Sequence, residues 1–208
     1  MKEITEYEKD LASIRSIMER SVKFISLSGL SGVLSGIYAL AGAAYAYSII
    51  YYPLSLSDFI NASIADRPAS IFKLEVSALL VLIASIGTGI LMSHQKAKKL
   101  ETSLWNATSQ QLLTDILFPL CSGGFFILIL LSKEYYLLLA PSSLIFYGLV
   151  LIQSSRHTYR EILYLGIIEI ALGLVSAILP GYGLIFWAVG FGVMHIIYGA
   201  LMYFRYDK

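Results

Sequence analysis

Residues 162–204 have the sequence ILYLGIIEIALGLVSAIL, then Pro180-Gly181-Tyr182, then GLIFWAVGFGVMHIIYGALMYF. The two apolar stretches, 162–179 and 183–204, are each long enough to cross a membrane as a helix. About 20 residues at a rise of about 1.5 Å per residue span a hydrocarbon core about 30 Å thick. A Pro-Gly turn joins the two stretches. The sequence therefore predicts a helical hairpin in a membrane.

Four further apolar stretches precede this hairpin, at residues 24–50, 74–92, 116–132 and 135–152. Composition agrees with this count, because 57% of the residues are apolar, only 14% are charged and the mean hydropathy is +0.73. A net charge of +1 gives no basis for nucleic-acid binding, which needs clustered Lys and Arg. We predict a single all-α membrane domain over residues 24–208, with six transmembrane helices in contact with the lipid bilayer.

The short turns before the fourth and sixth stretches favour three antiparallel hairpins. Glycine spacing suggests a threefold internal repeat, because Gly29 and Gly36 are seven residues apart, as are Gly166 and Gly173. Small residues at such spacing allow helix backbones to approach closely, within one chain or between copies. The glycines predicted to pack helices are Gly29, Gly32, Gly36, Gly166, Gly173 and Gly199.

Residues 1–23 have a different pattern, in which Leu11, Ile14, Met18 and Val22 recur at steps of three and four among charged residues. This spacing predicts an amphipathic helix on the cytoplasmic side of the membrane. Its apolar face could pack on its own protein, lie in the membrane interface, bind a partner helix or join two copies in a homo-oligomer.

Positive charge is distributed unequally between the two sides of the predicted bundle. Of the 15 Lys and Arg residues, only Arg67, Lys73 and Lys133 fall on the side opposite the termini. Positive loops stay in the cytoplasm. We therefore predict a multi-pass protein of the bacterial cytoplasmic (inner) membrane with both termini cytoplasmic.

The six spans and the glycine pattern of the last hairpin carry a resemblance to a known family. With Gly166, Gly173, Pro180, Gly192 and Gly199, the chain resembles the HdeD-type family of bacterial acid-stress membrane proteins. The N-terminal amphipathic helix and the long connection after the first span depart from that family. The resemblance implies a small stress-linked membrane protein and no catalytic residues.

Two ionisable residues, Glu169 and His195, fall deep in the predicted bilayer. Both lie about 18–20 Å from the centre of the Pro-Gly turn by the helical rise, so antiparallel neighbouring helices would hold them at one depth. A charge at the bilayer centre is costly, and such residues face the bundle interior and pair. The pair could relay protons, sense pH, hold a cation or act only as a polar clamp between helices.

Tyrosine is unusually abundant, with 15 copies. Most fit the aromatic belts at the membrane interfaces, but Tyr38, Tyr45, Tyr147, Tyr164 and Tyr198 fall inside or near spans. Their hydroxyls could line a polar cavity with the Glu–His pair or bond helix to helix. From these residues we select Tyr38, Tyr45 and Tyr198, with Glu169 and His195, as ligand- or proton-binding candidates.

No enzyme motif is found in the sequence, so we expect a non-enzymatic protein with no catalytic residues and no cofactor. His94 and His157 fall at helix ends far from His195, which argues against a metal site because zinc usually needs three or four protein ligands. The leading interpretation is a stress-linked membrane protein or membrane interaction partner. The alternative is a transporter or binder of a small molecule or ion with a midplane cavity around Glu169 and His195.

Overall fold

The computed structural model describes residues 28–51, 67–99, 101, 105 and 107–208. These residues contain six helices long and apolar enough to cross a membrane. They are α1 (Gly29–Tyr51), α2 (Arg67–Lys99), α3 (Ala107–Ser132), α4 (Leu139–Ser154, after a 3-10 turn at Tyr136–Leu138), α5 (Glu161–Ile178) and α6 (Gly183–Asp207). The prediction of an all-α protein with six membrane helices is confirmed.

Two helices are longer than the hydropathy predicted. α2 has 33 residues and begins at Arg67 rather than near residue 74, and α3 begins at Ala107 rather than near residue 116. Both extensions mix polar and apolar residues, so a count of continuous apolar residues misses them. At about 1.5 Å per residue, α2 is about 50 Å long and extends beyond a hydrocarbon core of about 30 Å.

The six helices form a row. α2 lies at one end and packs on α1, α1 packs on α6, α6 contacts both α4 and α5, and α3 packs on α4 at the other end. α1 and α2 form one hairpin and α3 and α4 a second, whereas α5 packs far more extensively on α4 than on α6. The two helices of the predicted third hairpin, α5 and α6, are therefore joined by a short turn, but each packs more extensively on another helix than on its hairpin partner. Instead α6 packs mainly on α1, and the four central helices enclose the core.

Glycines account for this choice of partners. A Cβ at Gly148 of α4 would lie 2.7 Å from the Gly166 carbonyl of α5, and one at Gly166 would lie 2.8 Å from the Gly148 carbonyl. Between α1 and α6, a Cβ at Gly36 would lie 2.6 Å from the Gly192 carbonyl. Gly29, Gly32, Gly173 and Gly199 also lie at these two interfaces. The helix backbones are in contact at both interfaces because glycine has no side chain to separate them.

The threefold repeat stays a prediction. In such a repeat, Gly89 of α2 would correspond to Gly148 of α4, and Gly123-Gly124 of α3 would correspond to the glycines of α5. A Cβ built at Gly89 or Gly124 meets nothing within 4 Å, whereas one at Gly123 would lie 2.6 Å from Phe146 Cβ of α4.

The first and last described residues meet at one end of the bundle, which we call the terminal face. Asp207 Oδ2 accepts a hydrogen bond from the Gly29 amide at 2.7 Å and from Ser28 Oγ at 3.2 Å. Its Oδ1 lies 2.6 Å from Lys96 Nζ. At the opposite face, the Tyr51 hydroxyl donates to the Gly181 carbonyl at 3.0 Å. α1 is thus tied to both ends of the last hairpin.

The predicted amphipathic helix of residues 1–23, with its partner face of Leu11, Ile14, Met18 and Val22, lies outside the described residues.

Candidate functional site

Glu169 lies at the centre of α5 and is completely buried. The buried residues of α5 recur at steps of three and four, at Ile162, Leu165, Gly166, Glu169, Gly173 and Ser176. Glu169 therefore lies on the buried face of α5, whose other residues are small or apolar. The same helical period that defines the packed face of α5 places a carboxyl group inside the bundle.

Gly190 of α6 makes the space that the carboxyl group occupies. A Cβ built on Gly190 would collide with Glu169 Oε2 and would lie 2.6 Å from Leu144 Cδ2 of α4. The carboxyl group thus lies directly against the backbone of α6. Any side chain at this position would displace it.

His195 contacts three groups at the same level. Its Nδ1 lies 3.0 Å from the Gly190 carbonyl and 3.5 Å from Glu169 Oε1, and its Nε2 lies 2.8 Å from the Tyr147 hydroxyl. Because a carbonyl oxygen can only accept, Nδ1 carries the proton and donates to Gly190. In the neutral ring, Nε2 then accepts from Tyr147. The imidazole is oriented from both sides.

A π-helical segment of α6, Ala188–Met194, directly precedes His195. Such wide turns are rare and are frequently found at functional sites. Gly190 and Gly192 are the buried residues of this segment. The segment presents the Gly190 carbonyl to the imidazole five residues later.

Aromatic rings cover one side of the site. The Tyr147 and Phe191 rings are 4.9 Å apart, and Phe191 lies nearly parallel to the His195 ring at 5.9 Å. Trp187 extends this wall, 5.1 Å from Phe191. The rings pack against the imidazole and cover that side of it.

Neither oxygen of Glu169 has a hydrogen-bond partner within the described part of the chain. The 3.5 Å contact to His195 Nδ1 is too long for a good hydrogen bond, and the Nδ1 proton already points to Gly190. Most buried polar atoms in proteins are partnered. The carboxyl group therefore retains the capacity to bind a proton or a polar ligand.

The other tyrosine candidates are divided between two places. The Tyr38 hydroxyl lies 3.3 Å from Thr88 Oγ1 and joins α1 to α2, and Tyr45 is 48% exposed. Both line a groove between α1 and α2, away from Glu169. The Tyr198 hydroxyl is buried and has no hydrogen-bond partner among the described residues. Of the three, only Tyr198 lies on the same helix as a member of the pair, about one turn after His195.

Tyr147 was not selected as a site residue from the sequence, although its depth could have identified it. It lies about 14 residues after the short turn at residues 132–134, which matches the depths of Glu169 and His195 on their own helices. Applying the same depth comparison to α4 would have placed its hydroxyl at the level of the pair.

The two cavities characterised in the bundle are apolar grooves on its outside. One, of about 290 Å³, lies between α1 and α6, and the other, of about 480 Å³, lies between α1 and α2. Neither is lined by Glu169 or His195. Among the described residues, no three His, Cys, Asp or Glu side chains are grouped closely enough to hold a metal ion.

A second polar cluster lies at the terminal face. Glu161 Oε1 accepts hydrogen bonds from Arg205 at 2.6 Å and from the Tyr206 hydroxyl at 2.9 Å. The Tyr159 and Tyr206 rings pack against each other in a tilted arrangement, with their centroids 4.2 Å apart. Burial, together with the negative charge of Asp207, raises the pKa of Tyr159 to about 12. Glu161 Oε2 is buried and has no partner in the described residues.

No protein-family model matches the chain, and neither the curated proteins nor the solved structures contain a match to it. Function is therefore inferred from the site itself.

Proposed function

We propose that this chain is a small, non-enzymatic integral membrane protein that binds and releases a proton at Glu169, with His195 and Tyr147 as the groups that exchange it. The observation that carries this proposal is a completely buried carboxyl group that has no hydrogen bond to any described residue and lies 3.5 Å from an imidazole nitrogen. An ionisable residue inside a membrane bundle is by default a candidate functional group.

The geometry favours a proton over a larger ligand. A proton needs an acceptor atom and a donor within reach, whereas a small molecule needs a cavity. Glu169 is 0% exposed and lines neither groove. Transport of a small molecule thus has less support than the binding of a proton at the same site.

The same burial argues against an enzyme. Tyr147 supplies a third polar group beside the Glu–His pair, as acid–base catalysis would require. A substrate, however, must reach within about 3 Å of the catalytic atoms. Aromatic rings and the α6 backbone occupy the positions from which it would approach.

An acid-stress role and a cytoplasmic orientation of the terminal face belong to the same proposal. A buried group that takes up protons gives a membrane protein a means of responding to acid, in keeping with the resemblance to the HdeD-type family. Lys96, Lys98, Lys99, Arg205 and Lys208 lie at the terminal face, which supports its placement in the cytoplasm of a bacterium.

Infrared difference spectroscopy tests the proposal on the purified protein in lipid nanodiscs. We expect a carboxylic-acid C=O band that changes with pH, shifts when glutamate is labelled with ¹³C and disappears in Glu169→Gln. The matched control is Glu75→Gln, because Glu75 is an exposed residue of α2 and its loss should leave the band unchanged. A wild-type spectrum with no titrating buried carboxyl band would leave Glu169 as a structural residue only.

A further inference from the structure

The Nδ1 atom of His195 faces two acceptors. The Gly190 carbonyl oxygen lies 3.0 Å from it, and Glu169 Oε1 lies 3.5 Å from it. Nδ1 carries a single proton and can make one good hydrogen bond at a time. At 3.5 Å the contact with Glu169 is too long for such a bond. The two acceptors therefore compete for one donor, and in this structure Gly190 holds it.

From this geometry we infer that proton binding at Glu169 controls the π-helical segment Ala188–Met194 of α6. The link is a hydrogen bond of His195 that passes from the Gly190 carbonyl to Glu169 when the carboxyl group loses its proton. This inference rests on the proposed proton binding and adds the structural change that follows it.

The charge of Glu169 decides which acceptor holds the imidazole proton. A hydrogen bond to an ionised acceptor is about twice as strong as one between neutral groups. A protonated carboxyl group is neutral, has one oxygen occupied by its own proton, and is a weaker acceptor than a peptide carbonyl. The observed bond to Gly190 thus corresponds to protonated Glu169. Loss of the proton turns Glu169 into the stronger acceptor.

The movement that this exchange requires is small. A charge-assisted bond of about 2.8 Å needs the separation between Nδ1 and Glu169 Oε1, which is 3.5 Å, to shorten by about 0.7 Å. The second side-chain torsion of histidine has a broad energy minimum, so the ring can turn at little cost. The Tyr147 hydroxyl, 2.8 Å from Nε2, can rotate and follow the ring.

Gly190 loses a hydrogen-bond partner in the exchange. Its carbonyl lies within the π-helical segment and accepts from the side chain five residues later. A π-helical turn is a rare backbone conformation in proteins. Gly190 and Gly192 are the buried residues of this segment, and glycine has more freedom of φ and ψ than any other residue. The loss of one bond can therefore change the backbone here.

The π-helical segment also connects Glu169 to α1. On one side, the Glu169 carboxyl group lies directly against Gly190. On the other, a Cβ at Gly192 would lie 2.5 Å from Leu40 Cδ2, and a Cβ at Gly36 would lie 2.6 Å from the Gly192 carbonyl. Closely packed interfaces transmit strain. A backbone change in the segment would thus alter the packing of α1 on α6.

The titratable groups that face the exchange come from three helices. They are Glu169 on α5, Tyr147 on α4 and His195 on α6 itself. The α1 residues in contact with the segment, Gly36 and Leu40, do not titrate. His195 can keep a proton on Nδ1 whether its ring is neutral or charged. The choice of acceptor is therefore set by Glu169.

Solid-state NMR of the protein in bilayers of phosphatidylcholine and phosphatidylglycerol tests the coupling. The sequence has only two Gly-Phe bonds, Gly124-Phe125 and Gly190-Phe191. Labelling glycine carbonyls with ¹³C and phenylalanine amides with ¹⁵N therefore selects two carbonyl signals. As pH rises, the Gly190 signal should move upfield, as a carbonyl does on losing a hydrogen bond, with the same midpoint as the Glu169 infrared band. The Gly124 signal, from α3, should not move.

Glu169→Gln keeps the side chain neutral at every pH, so the Gly190 signal should stay at its acidic position. The matched control, Glu75→Gln on the exposed side of α2, should retain the wild-type movement. A Gly190 signal that stays fixed while the infrared band titrates would overturn the coupling and leave proton binding intact. Movement that persists in Glu169→Gln would overturn it as well. The wild-type comparison needs no variant, so it decides even where a substitution prevents folding. Absence of any titrating carboxyl band would instead overturn the proposed function.

Discussion

The Tyr147 hydroxyl on α4 lies 2.8 Å from Nε2 of His195 on α6. This single contact connects helices from two different hairpins at the level of Glu169 and fixes which nitrogen of the imidazole can accept a proton. Several consequences of the site can be measured by changing one atom or one side chain at a time.

Tyr147 and Tyr198, both half-buried, should respond differently to loss of the hydroxyl. Tyr147→Phe leaves His195 Nε2 without its partner and should lower the free energy of unfolding by about 1–3 kcal/mol. Tyr198→Phe removes a hydroxyl that has no hydrogen-bond partner in the described part of the chain and should be neutral or stabilising. Thermal unfolding in detergent, followed by circular dichroism, compares the two variants. Equal destabilisation by both would contradict this assignment of partners.

Glu169→Met should raise stability and abolish the proton response. The substitution replaces a carboxyl group that has no hydrogen-bond partner among the described residues by an apolar side chain of similar length, while His195 keeps its contacts with Gly190 and Tyr147. A buried polar group left without a partner costs about 1–3 kcal/mol, and the substitution removes this cost. Unfolding in a denaturant series measures the change. A large loss of stability would show that Glu169 is a structural clamp.

Gly190→Ala should destabilise the bundle because the new Cβ would collide with the Glu169 carboxyl group. We expect a loss of about 1–3 kcal/mol, as for other overpacked cores. Gly124→Ala is the control, since a Cβ there meets nothing within 4 Å. Combining Gly190→Ala with Glu169→Ala should recover part of the loss. Full additivity of the two changes would indicate that the residues are not coupled.

Asp207→Ala should loosen the terminal face. The change removes an ion pair with Lys96 and a hydrogen bond that caps the first amide of α1. Loss of a helix cap costs about 0.5–2 kcal/mol. Faster hydrogen exchange at the start of α1, measured by mass spectrometry, should accompany it. Lys208→Ala, at the adjacent position, provides the control and should leave exchange unchanged.

Alkaline pH should weaken the fold partly through Tyr159, whose pKa is raised to about 12 from an ordinary value of about 10. Since the folded state holds this proton more tightly, Tyr159 contributes no pH dependence below about 10 and lowers stability as pH rises from there to about 12. Tyr159→Phe should flatten the stability profile in that window. Tyr164→Phe should retain the wild-type slope, and an equal effect of both would refute the assignment.

Much of the fold could be predicted from hydropathy, because each membrane helix must present a long apolar surface to lipid. The bounds of α2 and α3 could not, since their polar extensions continue as helix outside the apolar windows. The preference of α5 for α4 over α6 was also missed. It depends on which glycine-containing faces meet across space, as at Gly148 and Gly166, and spacing along one helix does not reveal that.

The site was partly accessible from sequence. Equal distance from a turn brought Glu169 and His195 to one depth, and the same comparison would have added Tyr147. The role of Gly190 had no signal, because one glycine among 16 does not reveal which neighbouring side chain uses its missing Cβ. Tyr38 and Tyr45 were chosen for depth alone, which cannot tell which way a side chain faces around a helix.

The hydrogen bond between Asp207 and the Gly29 amide joins residues 178 positions apart, and it bears on how the protein is made. A ribosome synthesises α1 before α6, so the glycine face of α1 stays without its main partner until the other five described helices have been made. Biogenesis should therefore proceed through a long-lived intermediate that has its first helix incompletely packed. Insertases or quality-control proteases of the membrane would encounter this protein in that state.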